Sequence, residues 1–470
     1  MTDDQNATIK YEKLETLGKK IFAGQKLTQE TITKNHVELA KKFLIDGASE
    51  INPQVLPAFW EHILLSPNLG KRIAEKLAST QKSVNPNAIE FLLYLHDIGR
   101  LIIPSAYFRN DLIGDRLLLA VGLEKELIDN LPPLGRISVL ADEEEFNDEE
   151  LNFEKPLSTE QKKTVQKYFD SLSPTQRIIN LADNLGKRDN NGIFNLASFE
   201  NYLKTQEKRY SEDSHWACIH WAIQRRRGAA LFQYHLVKKT YDWLGKLNIK
   251  VDKILHELKN YGPKFVLIIR HGELENPTNL AYNRDSVMKT PIHLSTLGKE
   301  HMQKVGELIA TKKFNLTKII TSPEIRTQES ALELKNKLDL PITIDNYLDE
   351  VYAPDPYNRG WKMDKLIDLG GDIYNLPNTE SPESVTRRML KIFNITANSL
   401  KTGEAAILLS HGDPIVFLTQ FLKTQSIPNP KILREIAYPA KGQATIAIIG
   451  ADGNIFTLYL LEENIEQNTY

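Results

Sequence analysis

The stretch Leu267–Pro277, LIIRHGELENP, ends a run of aliphatic residues on Arg270 followed by His271. The aliphatic run predicts a buried strand, and a strand of that kind seldom ends on two chargeable side chains without a reason. In open α/β sheets, ligands gather beyond the carboxyl ends of the strands. We therefore expect Arg270 and His271 to face a ligand.

Five further runs of the same kind follow this strand in the second half of the chain. Together the predicted strands are KFVLIIR, TKIITS, PITID, AAILLS, ATIAIIG and NIFTLYLL. They alternate with helical patterns, which predicts an α/β domain over residues 264–470. Residues 1–260 instead show apolar positions at helical spacing, without convincing strands, and predict an all-α domain. Gly262 and Pro263 mark the boundary between the two.

Other predicted strands of the second domain also end near chargeable residues. Arg326 follows TKIITS, His411 follows AAILLS, and Glu350 lies shortly after PITID. Fixed cations that hold phosphate oxygens, a nucleophile and a carboxylic acid suit phosphoryl transfer. The predicted chemistry at this edge is therefore that of a phosphate ester.

These residues resemble the histidine phosphatase superfamily, also called phosphoglycerate mutase-like, over about residue 264 to the C-terminus. The motifs that carry the resemblance are Arg270-His271-Gly272-Glu273, Ser322-Pro323-Glu324-Ile325-Arg326 and Ser410-His411-Gly412. The resemblance implies a three-layer α/β fold in which His271 forms a phosphohistidine. It implies that Arg270, Arg326 and His411 bind the phosphoryl group. Glu350 would donate a proton to the leaving group, and no cofactor is implied.

Two further residues are candidates for the substrate phosphate by the same resemblance. Arg284 falls where many members place a basic residue, and Asn276 lies one position earlier than the asparagine of many members. Mutases of this family usually carry an arginine pair after the acid. Arg387 and Arg388 lie in a predicted helix and match that pair poorly, so phosphatase activity ranks above mutase activity.

The first domain contains a second cluster of chargeable residues. His96 and Asp97 follow the apolar helical run of FLLYLHDIGRLI, and His62 and Asp183 are candidates to join them. Imidazole and carboxylate together suit a catalytic transition metal or magnesium. His36, which also precedes a helix, is the alternative to His62.

This arrangement resembles the HD-domain phosphohydrolases, which are all-helical, over roughly residues 27–227. The resemblance implies that His62, His96, Asp97 and Asp183 hold a divalent metal, Mn, Mg, Ni or Fe. No histidine lies between Asp97 and Asp183, so we expect one ion rather than two. Either of two neighbouring cations, Lys187 or Arg188, would then help to bind phosphate.

The composition limits the protein's surroundings and partners. The chain has 470 residues, a net charge of -2 and one cysteine, Cys218, which indicates a reducing cytoplasm. Its N-terminus lacks the features of a signal peptide, and no segment has spanning length. We expect a cytoplasmic protein with a small phosphorylated substrate such as a nucleotide, and no membrane or nucleic-acid partner. HD domains often dimerise, so the resemblance also allows a homodimer.

The sequence thus predicts a bifunctional phosphohydrolase with a histidine phosphatase site and a metal-dependent site. Three alternatives stay open. The helical domain could be a sensing or dimerisation module that controls a single phosphatase. The substrate could be a phosphohistidine on another protein. The second domain could also be a mutase that returns the phosphoryl group to its substrate.

Overall fold

A computed structural model describes most of the chain. The described residues are 3–25, 27–51, 57–79, 84–102, 107–131, 146, 153, 155–189, 192–212, 220–275, 292–353, 362, 365, 368–432, 438–450, 453 and 455–461. The chain forms two compact units, Met1–Tyr261 and Gly262–Glu466. Among the described residues, no helix combines the length and the apolar character needed to cross a membrane.

The first unit is built mainly from helices, which confirms the helical prediction for this half. They are α1 (Asp3–Ile21), α2 (Lys34–Ile51), α3 (Pro57–Ala78), α4 (Pro86–Leu95), α5 (Tyr107–Ala120), α6 (Lys125–Ile128), α7 (Thr159–Ser171), α8 (Pro174–Leu185), α9 (Leu196–Glu212), α10 (His220–Lys246) and α11 (Val251–Glu257), with a 3₁₀ turn at Ile98–Leu101. Ser158 and Ser173 begin α7 and α8 with capping boxes, which satisfy backbone N–H groups at both starts.

One element of the first unit departs from the prediction of helices alone. Two short strands, β1 (Arg188–Asp189) and β2 (Gly192–Ile193), pair in antiparallel orientation. Each strand has only two residues, so neither produces an alternating pattern that sequence reasoning could detect.

Helices α3 and α8 approach each other closely at Gly186, directly after α8. A Cβ atom on Gly186 would lie 2.5 Å from the Cα of Ser66 in α3. Only glycine permits this distance, because the opposing atom belongs to the backbone and cannot turn away. The close approach brings the end of α8 beside the turn of α3 that carries His62.

The second unit contains a six-stranded sheet in the order β5-β4-β6-β3-β7-β8. The strands are β3 (Lys264–Arg270), β4 (Asn315–Thr321), β5 (Ile342–Ile344), β6 (Glu404–Ser410), β7 (Ala444–Ile449) and β8 (Ile455–Leu461). Each predicted run corresponds to one of them, so the mixed α/β prediction is confirmed. β3, β4, β5 and β6 are parallel to one another, whereas β7 and β8 are antiparallel to their neighbours.

Helices cover the sheet of the second unit. The longer ones are α12 (Thr296–Thr311), α13 (Ile325–Leu338), α14 (Pro382–Ser399) and α15 (Gly412–Thr424). On one face, Val266 and Leu408 of the sheet pack in a common core with Met389 of α14 and Phe417 of α15. The central strands β3 and β6 are buried almost throughout, as parallel strands with covered faces are.

The parallel strands all deliver their last residues to one edge of the sheet. Arg270 of β3 is paired with Ser410 of β6, and Thr321 of β4 is paired with Leu409. The next residue along each strand therefore lies at that edge. The fold thus gathers the three predicted motifs at one place.

Candidate functional site

His271 lies at the end of β3 with one ring nitrogen committed to the backbone. Its Nδ1 is 2.8 Å from the carbonyl oxygen of Gly272. A carbonyl only accepts, so Nδ1 carries the proton and Nε2 keeps a free electron pair. Burial lowers the pKa of His271 well below its usual value, and the charges of Arg326 and Arg270 lower it further. His271 is therefore a neutral imidazole near pH 7, which is the form that can attack phosphorus.

Arg326 lies in the first turn of α13, at the same edge, and is almost completely buried. Its Nη1 forms an ion pair with Glu324 at 3.0 Å, and its Nη2 donates to Nδ1 of His411 at 3.1 Å. The His411 ring centroid is 5.4 Å from that of His271. The buried guanidinium of Arg326 beside His411, whose charge also acts on His271, makes this part of the edge attractive to an anion.

Hydrogen bonds of His411 connect Arg326 to the segment that contains Asp349 and Glu350. Because its Nδ1 accepts from Arg326, its proton lies on Nε2, which donates to Oγ of Ser322 at 2.9 Å. Ser322 Oγ in turn lies 3.4 Å from Oδ1 of Asp349. Burial and the charge of Arg326 hold the pKa of His411 well below its usual value. His411 is therefore a neutral donor and acceptor in this chain.

Glu350 brings a carboxyl group to the same edge. Its Oε2 lies 3.6 Å from Nδ1 of His411 and 3.9 Å from Nη2 of Arg326. Its Oε1 accepts from the backbone N–H of Val351 at 3.0 Å. Burial raises the pKa of Glu350 to about 7, against the charge of Arg326 and with help from Asp413. A carboxylic acid with this pKa can both give and take a proton near neutral pH.

Arg270 is held by a cluster that the sequence did not predict. Its Nη1 donates to the carbonyl oxygen of Pro439 at 2.8 Å, and its guanidinium carbon lies 5.0 Å from the ring centroid of Tyr438. Asp413 accepts from the hydroxyls of Tyr438 and Tyr374, at 2.5 and 2.7 Å. The position of Asp413 directly after the Ser410-His411-Gly412 motif was the only available signal. The tyrosines come from distant segments and carry no motif.

Two predicted phosphate contacts, Arg284 and Asn276, lie outside the described residues. Glu273, the last residue of the first motif, accepts a hydrogen bond from Lys441 at 2.9 Å. Lys441 is a cation that the sequence did not predict, and its charge also lowers the pKa of His271. The described part of the edge therefore has positive charge from Arg270, Arg326 and Lys441.

The first unit brings His62 and His96 together, and their Nε2 atoms lie 2.9 Å apart. Nδ1 of His62 is 3.0 Å from the carbonyl oxygen of Gly186, and Nδ1 of His96 is 2.6 Å from that of Leu93. Both carbonyls only accept, so both Nδ1 atoms carry protons in the neutral rings. Two electron pairs therefore point at the same buried space.

Two carboxylates face the same space. Oδ1 of Asp183 lies 3.1 Å from Nε2 of His62 and 3.2 Å from Nε2 of His96, and Oδ2 of Asp97 lies 3.5 Å from each. Asp97 Oδ1 is paired with Arg100 at 2.9 Å. Among the described residues, Asp97 Oδ2 and Asp183 Oδ2 have no hydrogen-bond partner. With both rings neutral, these nitrogen and oxygen atoms are converging electron-pair donors, and such a set fits a cation.

The charge balance of this cluster also favours a cation. Burial lowers the pKa of His96, but the carboxylates of Asp97 and Asp183 outweigh burial and raise it to about 9. Burial would raise the pKa of Asp183, but its contacts with the two histidines hold that pKa well below its usual value. The structure thus brings ligand atoms of His62, His96 and Asp183 within 4.8 Å of one another, with Asp97 beside them. This donor set of nitrogen and oxygen fits a divalent ion.

Three other residues considered from the sequence take different positions. Nδ1 of His36 accepts from the backbone N–H of Thr33 at 3.0 Å, at the start of α2. Arg188 donates to two backbone carbonyls, at 3.0 Å each, and so contributes to structure. Lys187 lies 5.8 Å from the ring centroid of Tyr202, and its charge contributes to the lowered pKa of His62. Lys187 is therefore the better placed of the two candidate phosphate-binding cations.

Comparison with known families supports the assignment of the second unit. Residues 266–458 match the family model described as "Histidine phosphatase superfamily (branch 1)". The match includes the three motifs and β4, β5, β6 and β7 in full. It supports a histidine phosphatase domain in the second unit, whereas the HD resemblance of the first unit stays a prediction.

Individual relatives cover parts of the chain only. "Uncharacterized protein Rv0525" of Mycobacterium tuberculosis is 33% identical over 85 residues, which is 18% of this chain and 39% of that protein. Among solved structures, the mycobacterial glucosyl-3-phosphoglycerate phosphatase Rv2419c is 17% identical, with a TM-score of 0.35, over 43% of this chain and 100% of its own. YhfR of Bacillus stearothermophilus is 20% identical, with a TM-score of 0.35, over 44% and 98%.

Proposed function

We propose that the second unit is a phosphatase that acts on a small phosphorylated metabolite or nucleotide through a phosphohistidine at His271. The observation that carries this proposal is the free electron pair on Nε2 of His271, in a ring on which the positive charges of Arg326 and Arg270 act. The family match over residues 266–458 supports it. The nearby cations would hold the phosphoryl oxygens while the nucleophile attacks in line.

The proposed reaction has two steps that use the same acid. In the first, Nε2 of His271 forms a bond to phosphorus while the phosphorus–oxygen bond to the leaving group breaks, and Glu350 gives its proton to the leaving oxygen. In the second, water attacks phosphorus, the nitrogen–phosphorus bond breaks, and Glu350 takes a proton from the water. Inorganic phosphate leaves and both side chains return to their starting forms. No metal takes part in these steps.

We further propose that the first unit holds one divalent metal through His62, His96, Asp97 and Asp183. The observation in favour is the convergence of two imidazole nitrogens and two carboxylates in a buried space. An ion of Mn, Mg, Ni or Fe in that space would supply a Lewis acid for the hydrolysis of a phosphate ester. Lys187 would contribute positive charge for the substrate. A sensing role for this unit is the competing proposal.

Phosphate release tests the two proposals in one experiment. Purified full-length chain is incubated with an aryl phosphate and a nucleotide panel, with and without chelator, as wild type, His271→Ala and Asp183→Asn. We expect chelator-resistant release that is lost in His271→Ala and kept in Asp183→Asn. Chelator-sensitive release that is lost only in Asp183→Asn would assign the second activity to the first unit.

Three results would change these assignments. Unchanged chelator-resistant release in His271→Ala would rule out the phosphohistidine proposal. Metal bound in a one-to-one ratio by wild type and lost in Asp183→Asn, without any chelator-sensitive release on the panel, would favour a sensing role. Transfer of phosphate within phosphoglycerate without net release would instead identify a mutase.

A further inference from the structure

Arg388, in the second turn of α14, is bound to the loop that carries Glu350. Its Nη1 donates to the backbone carbonyls of Tyr347 at 2.9 Å and Asp349 at 2.7 Å. Its Nη2 donates to the carbonyl of Glu350 itself at 3.2 Å. One side chain thus connects a helix to three backbone oxygens around the proposed acid.

The remaining donors of Arg388 are directed at Glu380. Nε lies 2.9 Å from Oε1 of Glu380, and Nη2 lies 3.0 Å from Oε2. All five N–H groups of the guanidinium therefore have acceptors, which leaves none for a substrate phosphate. The side chains of Arg388 and Glu380 are each 14% exposed, so little solvent competes for these bonds. Lysine could not replace this planar set of donors.

Glu380 fixes the far end of the same loop. Its backbone N–H donates to the carbonyl of Tyr352 at 2.7 Å, and its Oε1 accepts from the hydroxyl of Ser384 at 2.9 Å. On the opposite side of the loop, the hydroxyl of Ser410 donates to the carbonyl of Leu348 at 2.6 Å. The segment that carries Glu350 is therefore held by α14 on one side and by the end of β6 on the other.

We propose that Arg388, fixed by Glu380, is a positioning residue that sets the place of the Glu350 carboxyl group. The inference rests on the proposed function of Glu350 as the acid. The carboxyl lies 3.6 Å from His411, and a displacement of its backbone by about 1 Å would move it away from the leaving oxygen. Loss of the bonds from Arg388 removes the restraint on this backbone without touching the substrate.

Leaving groups of different basicity distinguish positioning of an acid from general structural support. A nitrophenolate leaves without a proton, whereas the alkoxide of an alkyl phosphate needs one. We expect Arg388→Lys to lower kcat/KM roughly 10- to 100-fold for an alkyl phosphate, and less than about 3-fold for p-nitrophenyl phosphate. Arg387→Lys is the matched control, because Arg387 is the adjacent, exposed arginine that pairs with Glu383 on the same helix. It should change neither value.

Glu350→Gln, measured in parallel, separates this inference from the proposed function. If Glu350→Gln shows the leaving-group dependence and Arg388→Lys does not, Arg388 does not position the acid. Equal losses on both substrates in Arg388→Lys would show a structural role only and also overturn the inference. If Glu350→Gln itself loses both activities equally, the acid role fails and the inference fails with it. Should Arg388→Lys not fold, Glu380→Gln takes its place, because it removes one charge of the pair. The same comparison is then made between its losses of kcat/KM on the alkyl phosphate and on p-nitrophenyl phosphate.

Discussion

Backbone carbonyls decide which nitrogen carries the proton in three histidines of this protein. His271, His62 and His96 each place Nδ1 within 3.0 Å of a carbonyl oxygen. Each therefore leaves Nε2 as an electron-pair donor. The three histidines differ in the charges near them. The charges of Arg326 and Arg270 act on His271, whereas Nε2 of His62 and of His96 lies close to carboxylates. The same tautomer thus suits a nucleophile in one unit and a metal ligand in the other.

The raised pKa of Glu350 predicts how phosphatase activity depends on pH. Burial raises this pKa to about 7, so the carboxyl is protonated below pH 7 and loses its proton above it. Only the protonated form can protonate the leaving group. We therefore expect kcat/KM for an alkyl phosphate to fall above about pH 7, approaching tenfold per pH unit. The measurement is a pH series of kcat/KM in the presence of chelator.

Two comparisons test whether this pH dependence comes from Glu350. Glu350→Gln should have low activity on the alkyl phosphate without the fall above pH 7. With p-nitrophenyl phosphate the fall should be much weaker, because that leaving group needs no proton. The pKa of His271 lies well below its usual value, so protonation of the nucleophile belongs to the acid side of the profile. An unchanged fall in Glu350→Gln would assign it to another group.

At the scale of elements, the start of α15 depends on a glycine. A Cβ atom on Gly412 would lie 2.0 Å from the hydroxyl oxygen of Tyr438. Tyr438 binds Asp413 and lies against Arg270, so Gly412→Ala must displace a side chain that supports the phosphate site. We expect a loss of about 1–3 kcal/mol in the free energy of unfolding. We also expect kcat/KM to fall roughly tenfold or more.

Gly245→Ala is the control for this substitution. Gly245 lies in the last turn of α10, and a Cβ atom there would meet nothing within 4 Å. Alanine is favoured over glycine in a helix, so stability should stay the same or rise slightly. Chemical denaturation gives the stability and chelator-resistant phosphate release gives the activity. Wild-type activity in Gly412→Ala would show that Tyr438 does not support the site.

The sequence predicted the strands of the second unit well because each is a short aliphatic run between turn signals. The strand KFVLIIR, for example, coincides with β3, Lys264–Arg270. Contacts between distant segments were not predictable in this way. Tyr374 and Tyr438 reach Asp413 from 39 and 25 residues away, and a single tyrosine gives no periodic signal. Arg388 could be placed on a helix from the sequence, but its backbone acceptors could not be identified.

At the scale of the whole molecule, the two units carry candidate sites of opposite charge. The positive charges of Arg270, Arg326 and Lys441 act on His271 in the second unit, and this edge suits an anion. Asp97 and Asp183 surround His62 and His96 in the first, and that space suits a cation. The sequence identified these candidates from motifs, but the protonation of each nitrogen depends on carbonyls that only the fold brings into contact. A divalent ion should therefore act on the first unit alone.

Thermal stability tests this division without measuring activity. A ligand that binds only the folded state at 100 times its Kd stabilises that state by about 2.7 kcal/mol. We expect Mn²⁺ to raise the Tm of the first unit's unfolding transition by about 5–10 °C in wild type and in His271→Ala, and not in Asp183→Asn. Asp170→Asn removes an exposed carboxylate from α7 and should keep the full shift. If Mn²⁺ raises the Tm of Asp183→Asn as much as that of wild type, the ion binds elsewhere. The converging nitrogens of His62 and His96 are then not its ligands.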